Sequence, residues 1–397
     1  MHLPIRFIHT ADLHLGAPFT ALPDLSARLR QEQLAMFSRL VDTCSTELPD
    51  LLLIAGDLFD LPVPPAALVN TVRELLSTIP DTQIFIASGN HDPAFIDSPY
   101  RTTAWPRNVH LFTDEWSVID LADKPVRVLG AGFTASAVTR SLLPDAGFLQ
   151  ADRQLSHASQ QDDRVNLLVL HADLVTRGQA SAYNPVTIDQ IRDLGIDYAA
   201  LGHRHERLGP LSSGQGWYAY SGCPMGRGFD ETGDKGVLMV QMSEEPPRMT
   251  STWIPMASRK FIELTVCVDD CLSHDDVARR IVEALTLSQG NDWQNHYYRI
   301  SLNGNLAEHL VLVPTILLSR LAGYQAYLEI IDHTDRKPDL TALARESSLR
   351  GTFARLLLEQ AGLDEASGKV NQARLDQLAL QLGLDAFAGE VPERAYP

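Results

Sequence analysis

Short apolar runs bounded by turn-forming residues recur through the first 255 residues of the chain. Their length and their boundaries are typical of strands, and amphipathic patterns over residues 25–44 and 65–79 predict helices between them. The predicted strands cover residues 5–9, 51–55, 83–87, 126–130, 165–170, 198–201 and 236–242. This alternation of strands and helices predicts an α/β layered domain with a buried sheet.

The pattern changes after a proline-containing break at residues 245–247 and a strand around Thr252. A small α+β module is predicted next, with strands at residues 261–268, 297–302 and 324–332 and helices at residues 273–287 and 311–321. From Pro338 onward, apolar residues at three- and four-residue steps predict amphipathic helices. These apolar positions are Leu349, Phe353, Leu356, Leu357, Leu375, Leu378 and Leu382. The sequence therefore predicts three parts, with boundaries at residues 1–255, 256–335 and 336–397.

The composition excludes several classes of protein. Hydrophobic residues make up 45% of the chain, which is enough for real cores, and 50 acidic against 33 basic side chains leave a net charge of −17. Such a charge repels polyanions over most of the surface, so no basic nucleic-acid clamp is visible. No apolar run approaches the ~18 residues of a membrane span, and the first residues do not resemble a signal peptide. Four cysteines without a C-x-x-C pair indicate reduced thiols, and we expect a cytoplasmic protein.

Most of the predicted strands in the first part run directly into metal-binding side chains. In open α/β sheets, ligands bind beyond the carboxyl ends of the strands, so these side chains are expected to meet in one crevice. The candidates, in chain order, are Asp12 and His14, Asp57 and Asp60, Asn90 and His91, His171, and His203 and His205. Taken singly, each is more typical of a solvated turn or a core histidine. Taken together in this order, they predict one polynuclear metal site.

The ligand types and their spacing indicate the chemistry of that site. Asp12 with His14 and His203 with His205 have i, i+2 spacing, so each pair points to the same side and can bind one ion. Nitrogen and oxygen ligands without thiolate favour Mn, Fe or Zn over Mg or Ca. Two ions ~3.5 to 4 Å apart that share Asp57 would lower the pKa of a bridging water and supply a hydroxide for in-line attack on phosphorus.

Two further residues are candidates for acid–base catalysis. His91, beside the proposed ligand Asn90, would stabilise or protonate the leaving oxygen, and Asp60 would orient His91. The alternative for Asp60 is an ordinary loop carboxylate. Three arginines in or just after the last metal segment are candidates for contacts with substrate phosphate, the alternative being solvated loop side chains. They are Arg204, Arg207 and Arg227.

The five segments, written D-x-H, G-D-x-x-D, G-N-H-D, a lone His and G-H-x-H, resemble the calcineurin-like metallophosphoesterase superfamily over residues 1–255. Within it, "FIHTADLHLGAPF" and "AGDLFD" are similar to SbcD-type DNA repair exonucleases, and "SGCPMGRGFDETGDKG" is similar to the YhaO-like subgroup. The resemblance implies a four-layer αββα sandwich and two divalent ions, with Mn(II) the usual activator. It also implies that His91 is the catalytic histidine, paired with Asp60.

The resemblance further implies a role for every candidate ligand. The first ion would be held by Asp12, His14, Asp57 and His205. The second ion would be held by Asp57, Asn90, His171 and His203.

The resemblance also assigns roles to the three predicted parts. Residues 1–255 would form the catalytic domain, residues 256–335 an α+β capping domain, and residues 336–397 a helical region that docks on the coiled coil of an SbcC-type ATPase subunit. The alternative for these helices is packing on each other and on the capping domain. DNA and the ATPase are the expected partners, a homodimer is left open, and no membrane is expected.

Three functional hypotheses follow from the sequence. The leading one is a metal-dependent DNA exonuclease or endonuclease subunit that works with an ATPase. The second is a phosphodiesterase or phosphatase for nucleotides or phosphoproteins, because the motifs fix the chemistry but leave the substrate open. The acidic net charge favours this second hypothesis. The third is a catalytically silent scaffold that binds a partner through its tail.

Overall fold

Two six-stranded sheets form the frame of the N-terminal unit, Met1–Ile262, in the computed structural model of the chain. The structure describes residues 4–114, 116–144, 164–244, 246–307, 310–321, 327–337 and 340–388. The strands of this unit are β1 (Ile5–Thr10), β2 (Leu51–Ala55), β3 (Gln83–Ala87), β4 (Val109–Phe112), β5 (Ser117–Asp120), β6 (Val126–Ala131), β7 (Val165–His171), β8 (Asp173–Leu174), β9 (Pro185–Val186), β10 (Tyr198–Gly202), β11 (Leu208–Ser212), β12 (Trp217–Tyr220), β13 (Gly236–Met242) and β14 (Met249–Pro255).

Both sheets are mixed: most neighbouring strands run parallel, and antiparallel pairs lie at one edge of the first sheet and at both edges of the second. The first has the order β14-β13-β1-β2-β3-β4, in which β1 to β4 run parallel and β13 runs antiparallel to β1. The second has the order β11-β12-β10-β7-β6-β5, in which β6, β7, β10 and β12 run parallel. Strands β8 and β9 form a separate small ribbon. The carboxyl ends of the parallel strands in each sheet therefore lie at one edge.

The hydrophobic core lies between the two sheets and continues on their outer faces. In β7, Leu167 and Val169 belong to the core cluster shared by both sheets, whereas Leu168 and Leu170 pack in a second cluster with Ile191. Because both faces of the central strands are buried, these strands are continuously apolar and do not alternate with polar residues. The residue pattern predicted one buried sheet, and the structure has two.

Helices cover the outer faces of the two sheets. They are α1 (Ser26–Glu47), α2 (Ala66–Ser77), α3 (Pro99–Thr102) and α4 (Ile188–Asp193). The long helix α1 buries one apolar face that includes Phe37 and Leu40. Helix α4 begins with a capping box between Thr187 and Gln190, and its residue Ile191 packs on the second sheet. The four-layer αββα arrangement expected from the resemblance is confirmed.

The second unit, Glu263–Pro397, contains a three-stranded sheet followed by a helical segment. The sheet has the order β15-β16-β17, and β16 runs parallel to β17. Its elements are β15 (Phe261–Cys267), α5 (His274–Gln289), β16 (Tyr297–Ala307), α6 (Pro314–Arg320) and β17 (Leu328–Lys337). The predicted α+β pattern is confirmed, although β16 extends beyond residue 302. Part of the strand predicted at residues 324–332 lies outside the described residues.

The helical segment is a hairpin with a small core of its own. Its helices are α7 (Leu340–Leu343), α8 (Leu349–Ala366) and α9 (Val370–Ala388). Leu343, Ala354, Leu380 and Leu384 form its buried cluster. Within the described residues, every helix is too short or too polar to span a lipid bilayer. All four cysteines are free, as predicted. The structure divides the chain after Ile262, and the division into three domains stays a prediction.

Candidate metal centre

The loops that follow β1, β2 and β10 hold their polar residues in unusual backbone conformations. Asp12, His14, Asp57 and His203 have φ angles of 54°, 47°, 50° and 103°. Half of the eight non-glycine residues with positive φ in the described part of the chain are therefore predicted metal ligands. Such conformations cost on the order of 1 to 3 kcal/mol each and persist where the surrounding structure enforces them. Here the loops after β1 and β2 hold each other in place, because the Asp12 amide donates a hydrogen bond to the Gly56 carbonyl at 3.1 Å.

One cluster of donor atoms lies between the loops after β1, β2 and β10. The Nε2 atoms of His14 and His205 are 3.2 Å apart. His14 Nε2 lies 3.7 Å from Asp57 Oδ2, and His205 Nε2 lies 3.9 Å from Asp12 Oδ1. Both aspartates and His14 are buried. Two imidazole nitrogens and two carboxylate oxygens thus converge on one point, which is a suitable ligand set for a divalent transition ion.

A second cluster lies beside the first one. In it, three hydrogen-bond acceptor atoms face one another: His171 Nε2, Asn90 Oδ1 and Asp57 Oδ2. His171 Nδ1 lies 3.0 Å from the Ala55 carbonyl, so in the neutral imidazole this nitrogen carries the proton and Nε2 carries a lone pair. His171 Nε2 lies 2.9 Å from Asn90 Oδ1 and 3.4 Å from Asp57 Oδ2. Lone pairs that face one another in a buried site are stabilised by a cation between them, and these residues therefore fit a second metal ion.

Asp57 is the residue common to both clusters. Its Oδ2 atom faces His14 in the first cluster and His171 in the second, while its Oδ1 atom accepts the backbone N–H of His91 at 2.9 Å. Gly89 packs directly against this carboxylate, since a Cβ at that position would lie 2.1 Å from Asp57 Oδ1. This arrangement fixes the carboxylate between the two groups of ligands and supports the prediction that Asp57 bridges two ions.

Asp12 is a buried carboxylate whose charge is poorly solvated, as expected for a cation ligand. Both of its carboxylate oxygens accept the backbone N–H of His203, at 3.0 and 3.2 Å. Burial raises the pKa of Asp12 to about 6, although His171 and His205 act in the opposite direction. A buried anion of this kind is stabilised by a metal ion in direct contact. Asp12, Asp57 and His171 form one of the groups in which all donor atoms lie within 4.8 Å of one another.

His91 and Asp60 lie at the open side of the clusters. The His91 side chain is 41% exposed, and its Nδ1 atom is 3.7 Å from Asp60 Oδ1. The same carboxylate oxygen is 3.2 Å from His14 Nδ1. Burial raises the pKa of Asp60, and the positive charge of Arg227 acts against this increase. His91 is thus a solvent-accessible imidazole with a carboxylate beside one of its two nitrogens.

The comparison with protein families identifies this arrangement. Residues 5–207, about half of the chain, match the family model described as calcineurin-like phosphoesterase. The chain belongs to the calcineurin-like phosphoesterase family. The matched range contains all five ligand segments, from Asp12 to His205.

Curated relatives of this phosphoesterase share modest identity with it. The metallophosphoesterase YhaO of Bacillus subtilis (strain 168) is 28% identical over 249 residues, which are 60% of this chain and 58% of YhaO. The SbcD component of the SbcCD nuclease from Staphylococcus epidermidis is 23% identical over 281 residues, which are 66% of this chain and 72% of that protein. The corresponding component from Staphylococcus saprophyticus is 23% identical over 283 residues, which are 66% of this chain and 71% of that protein. The chain thus spans less than two thirds of the length of YhaO.

His203 is the predicted histidine ligand whose ring does not join the converging ligand atoms. Its ring centroid lies 5.3 Å from that of His171 and 4.7 Å from that of Tyr183. Burial and the neighbouring His171 lower the pKa of His203 to about 4. Among the described residues, His203 belongs to none of the groups of converging donor atoms. Its role as a ligand of the phosphoesterase site stays a prediction.

The three predicted phosphate-binding arginines lie in different surroundings. Arg204 is exposed and pairs with Glu206 at 3.2 Å. Arg207 stacks on the Trp253 ring at 4.5 Å. Arg227 contacts the phosphoesterase site itself, because its Nη1 atom lies 3.3 Å from Asp60 Oδ1. The structure thus brings one of the three arginines into contact with Asp60, one of the two proposed catalytic residues.

Sequence reasoning missed two carboxylates that support the site. Glu231 is 6% exposed and lies 2.6 Å from His205 Nδ1. Burial would raise the pKa of Glu231, but hydrogen bonds from His205 and Arg227 hold it well below its usual value. The available signal was the position of Glu231, four residues after Arg227, inside the segment "SGCPMGRGFDETGDKG".

The second missed carboxylate is Asp92, the last residue of the G-N-H-D motif. It accepts the backbone N–H groups of Gly89 at 2.8 Å and Phe59 at 2.9 Å, and the Tyr100 hydroxyl at 2.5 Å. Burial, followed by the nearby Asp57, raises the pKa of Asp92 to about 7. Asp92 therefore fixes the loop that carries Asn90 and joins it to the loop after β2.

Proposed function

We propose that this phosphoesterase is a metal-dependent phosphodiesterase that acts on DNA. The observation that carries the proposal is the pair of donor clusters around Asp57, in which nitrogen lone pairs face carboxylate and amide oxygens. When bound, two divalent ions would polarise the phosphoryl oxygens and lower the pKa of a water molecule enough to make it a nucleophile near neutral pH. The mixed nitrogen and oxygen ligands suit Mn, Fe or Zn, and the resemblance to the SbcD-type exonucleases favours Mn(II) among them.

The proposed ligands form two sets, one for each metal ion. The proposed ligands of the first ion are Asp12, His14, Asp57 and His205. Those of the second ion are Asp57, Asn90 and His171, whose side-chain atoms face one another, and His203, which the resemblance assigns. The hydrogen bond from His171 to the Ala55 carbonyl fixes the ring so that its Nε2 atom faces the second position.

His91 is the proposed general acid for the leaving oxygen. With its Nδ1 atom toward Asp60, the ring presents Nε2 for contact with a substrate bound at the open side. The Asp60 carboxylate, 3.7 Å from Nδ1, orients the imidazole, as carboxylates do beside catalytic histidines. His91 itself remains outside the two ligand sets and is free to exchange its proton with the leaving group and the solvent.

DNA as substrate is supported by the relatives. Two of them are SbcD components of the SbcCD nuclease, and each similarity covers 66% of this chain, which is more than the family model alone covers. The net charge of −17 supports the alternative substrate class, nucleotides or phosphoproteins. We also propose a cytoplasmic location and an SbcC-type coiled-coil ATPase as partner, on the same similarity.

A panel of substrates tests the proposal. The purified full chain with Mn(II) would be offered single-stranded DNA, duplex DNA, bis-p-nitrophenyl phosphate and a phosphomonoester, with Asp57→Asn as the inactive control. We expect cleavage of DNA and of the small diester, abolished by a chelator. Rapid hydrolysis of the monoester without DNA cleavage would favour the phosphatase alternative. No hydrolysis of any substrate, by a chain that holds its metals, would support the silent scaffold.

A further inference from the structure

Glu231 lies directly behind His205, on the side away from the proposed ions. Its Oε1 atom is 2.6 Å from His205 Nδ1 and accepts Arg227 Nη2 at 2.9 Å. Its Oε2 atom accepts the backbone N–H of Arg227 at 2.8 Å. Both oxygens of this nearly buried carboxylate are therefore occupied by neighbours within the site.

Arg227 extends the contact to the opposite side of the site. The guanidinium binds Glu231 through Nε and Nη2, and its Nη1 atom lies 3.3 Å from Asp60 Oδ1. One rigid planar group thus joins the carboxylate behind His205 to the carboxylate beside His91. A lysine has a single ammonium group and lacks this fork, so it would not reproduce the geometry.

We propose that Glu231 and Arg227 are positioning residues of the metal centre: Glu231 fixes His205 for binding of the first ion, and Arg227 holds Glu231 and Asp60 in place. The inference rests on the proposed two-metal function. Because the Glu231 carboxylate accepts a hydrogen bond from the Nδ1–H group, the lone pair of the neutral His205 ring is on Nε2, which faces His14 and Asp12 at 3.2 and 3.9 Å. Carboxylates behind metal-bound histidines act in this way.

The contacts of Arg227 argue against its other predicted role, direct contact with substrate phosphate. Its Nε, Nη1 and Nη2 atoms are all directed at the carboxylates of Glu231 and Asp60. Its side chain is 24% exposed, compared with 52% for Arg204. Three of its five N–H groups are engaged by carboxylates, which leaves fewer donors for a phosphate than an unpaired arginine would offer. Removal of Arg227 would also leave Glu231 buried beside the metal site without its cation.

Metal binding by the metal-free full chain tests the inference. Mn(II) would be titrated into wild type and variants, and the free ion would be counted by electron paramagnetic resonance. We expect Glu231→Ala to bind one of the two ions about 10- to 100-fold more weakly. Glu231→Gln keeps an acceptor oxygen for His205 and should lose less. The matched control is Glu206→Ala, which removes an exposed carboxylate next to His205 and should bind both ions as wild type does.

Arg227 is tested by the same titration together with steady-state kinetics on bis-p-nitrophenyl phosphate. We expect Arg227→Ala to lower the affinity for the same ion. The double variant with Glu231→Ala should bind this ion no more weakly than the single variant with the lower affinity, because the two residues act as one unit. The KM of Arg227→Ala at saturating Mn(II) should stay close to that of wild type. Thermal melting curves identify any variant that does not fold, and Glu231→Gln, which is nearly isosteric, then carries the test.

Three results would overturn the inference. Unchanged Mn(II) affinity in both folded Glu231 variants would show that Glu231 does not position His205. Unchanged affinity in Arg227→Ala, combined with a raised KM, would make Arg227 a substrate contact. If wild type itself bound no Mn(II), the proposed metal centre would be wrong, and this result is distinct because it does not depend on either residue.

Discussion

Asp57 shows how much of this site depends on single atoms. One of its oxygens faces both donor clusters, and the other is held by the His91 amide and by close packing against Gly89. The carboxylate cannot turn away from the clusters without losing these contacts. Its charge is the one that both proposed ions would share.

We expect Asp57→Asn to lose both metal ions together. The substitution keeps the size of the side chain but removes the negative charge between the two clusters. Metal content per chain, measured by mass spectrometry after gel filtration, should fall from two equivalents toward none. The control Asp193→Asn, at an exposed carboxylate on α4, should retain both ions. An Asp57→Asn protein with two full equivalents and normal turnover would disprove the bridging role.

His91→Ala should separate chemistry from metal binding. Because His91 lies outside both proposed ligand sets, we expect the variant to keep two ions and to lose roughly 10²-fold in kcat on bis-p-nitrophenyl phosphate. Asp60→Asn should cause a smaller loss and shift the pH profile of kcat, since Asp60 acts through His91. The exposed His333→Ala serves as control. Near-normal turnover of His91→Ala would make His91 a structural residue.

His9 provides a prediction about stability and pH. It lies buried in β1, bonded to the Tyr198 hydroxyl at 3.1 Å and the Leu201 carbonyl at 3.2 Å, and burial lowers its pKa to about 3 from the ordinary 6.5. The unfolded chain takes up this proton below about pH 6.5 and the folded chain does not, so stability falls as the pH is lowered toward 3.

We expect His9→Gln to remove about 2 kcal/mol of the stability difference between pH 7 and pH 5. Urea unfolding of the metal-free protein at both pH values, followed by tryptophan fluorescence, measures it. The exposed substitution His333→Gln should leave the pH dependence as in wild type. An equal pH dependence in His9→Gln and wild type would contradict the assignment.

At the scale of elements, the two sheets lie in close contact where β2 and β10 end. A Cβ at Gly202 would lie 1.8 Å from the Ala55 carbonyl oxygen, so only glycine permits this approach. Ala55 is also the residue whose carbonyl orients His171. The close contact between the strand ends therefore brings ligands from both sheets into one site.

Gly202→Ala should push β2 and β10 apart and damage both stability and metal binding. Since the clash is with backbone and not with a movable side chain, we expect a loss of several degrees in melting temperature and a weaker second ion, because His171 depends on Ala55. Differential scanning calorimetry and Mn(II) titration measure the two effects. Gly362→Ala on α8, where a Cβ would meet nothing within 4 Å, is the control and should be neutral or slightly stabilising. If Gly202→Ala had the melting temperature and the metal affinity of wild type, the close approach of β2 and β10 would not depend on glycine at this position.

At the scale of the whole molecule, the C-terminal hairpin divides its apolar residues between two faces. Phe353 and Leu357 pack against the buried cluster between α8 and α9, which confirms part of the intramolecular alternative. Leu349, Leu356 and Leu363 stay 77%, 60% and 63% exposed, and they repeat at seven-residue intervals along α8. This spacing is typical of a seam that packs against another helix.

The double variant Leu356→Glu, Leu363→Glu tests docking on a coiled-coil ATPase. We expect it to stay soluble, keep two ions and hydrolyse the small diester normally, but to lose co-purification with a co-expressed ATPase. The control Leu287→Glu, at a side chain that is 90% exposed on α5, should retain the partner. A sharp fall in melting temperature would instead assign both leucines to the core of the hairpin. A change from dimer to monomer in light scattering would assign them to a second copy of the chain.

The sequence by itself determined the local features of this protein. Strands β2 and β3 have the predicted limits at both ends, and the polar residues after each strand were identifiable because buried parallel strands carry continuous apolar runs. Asp12 and His14, as well as His91 and Asp60, were predicted from their positions next to these runs. The short strands β4, β5 and β11 were missed because their half-exposed residues leave little hydrophobic pattern.

Only the tertiary structure decided which of these residues meet and what supports them. The contact between Arg227 and Asp60 spans 167 positions of the chain, and that between Glu231 and His205 spans 26. No local pattern predicts such pairs, because their distances depend on the packing of two sheets whose number the hydrophobic pattern did not reveal. Hydrophobic periodicity reports which face of an element is buried, whereas the partner of a buried carboxylate is set by the packing of distant segments.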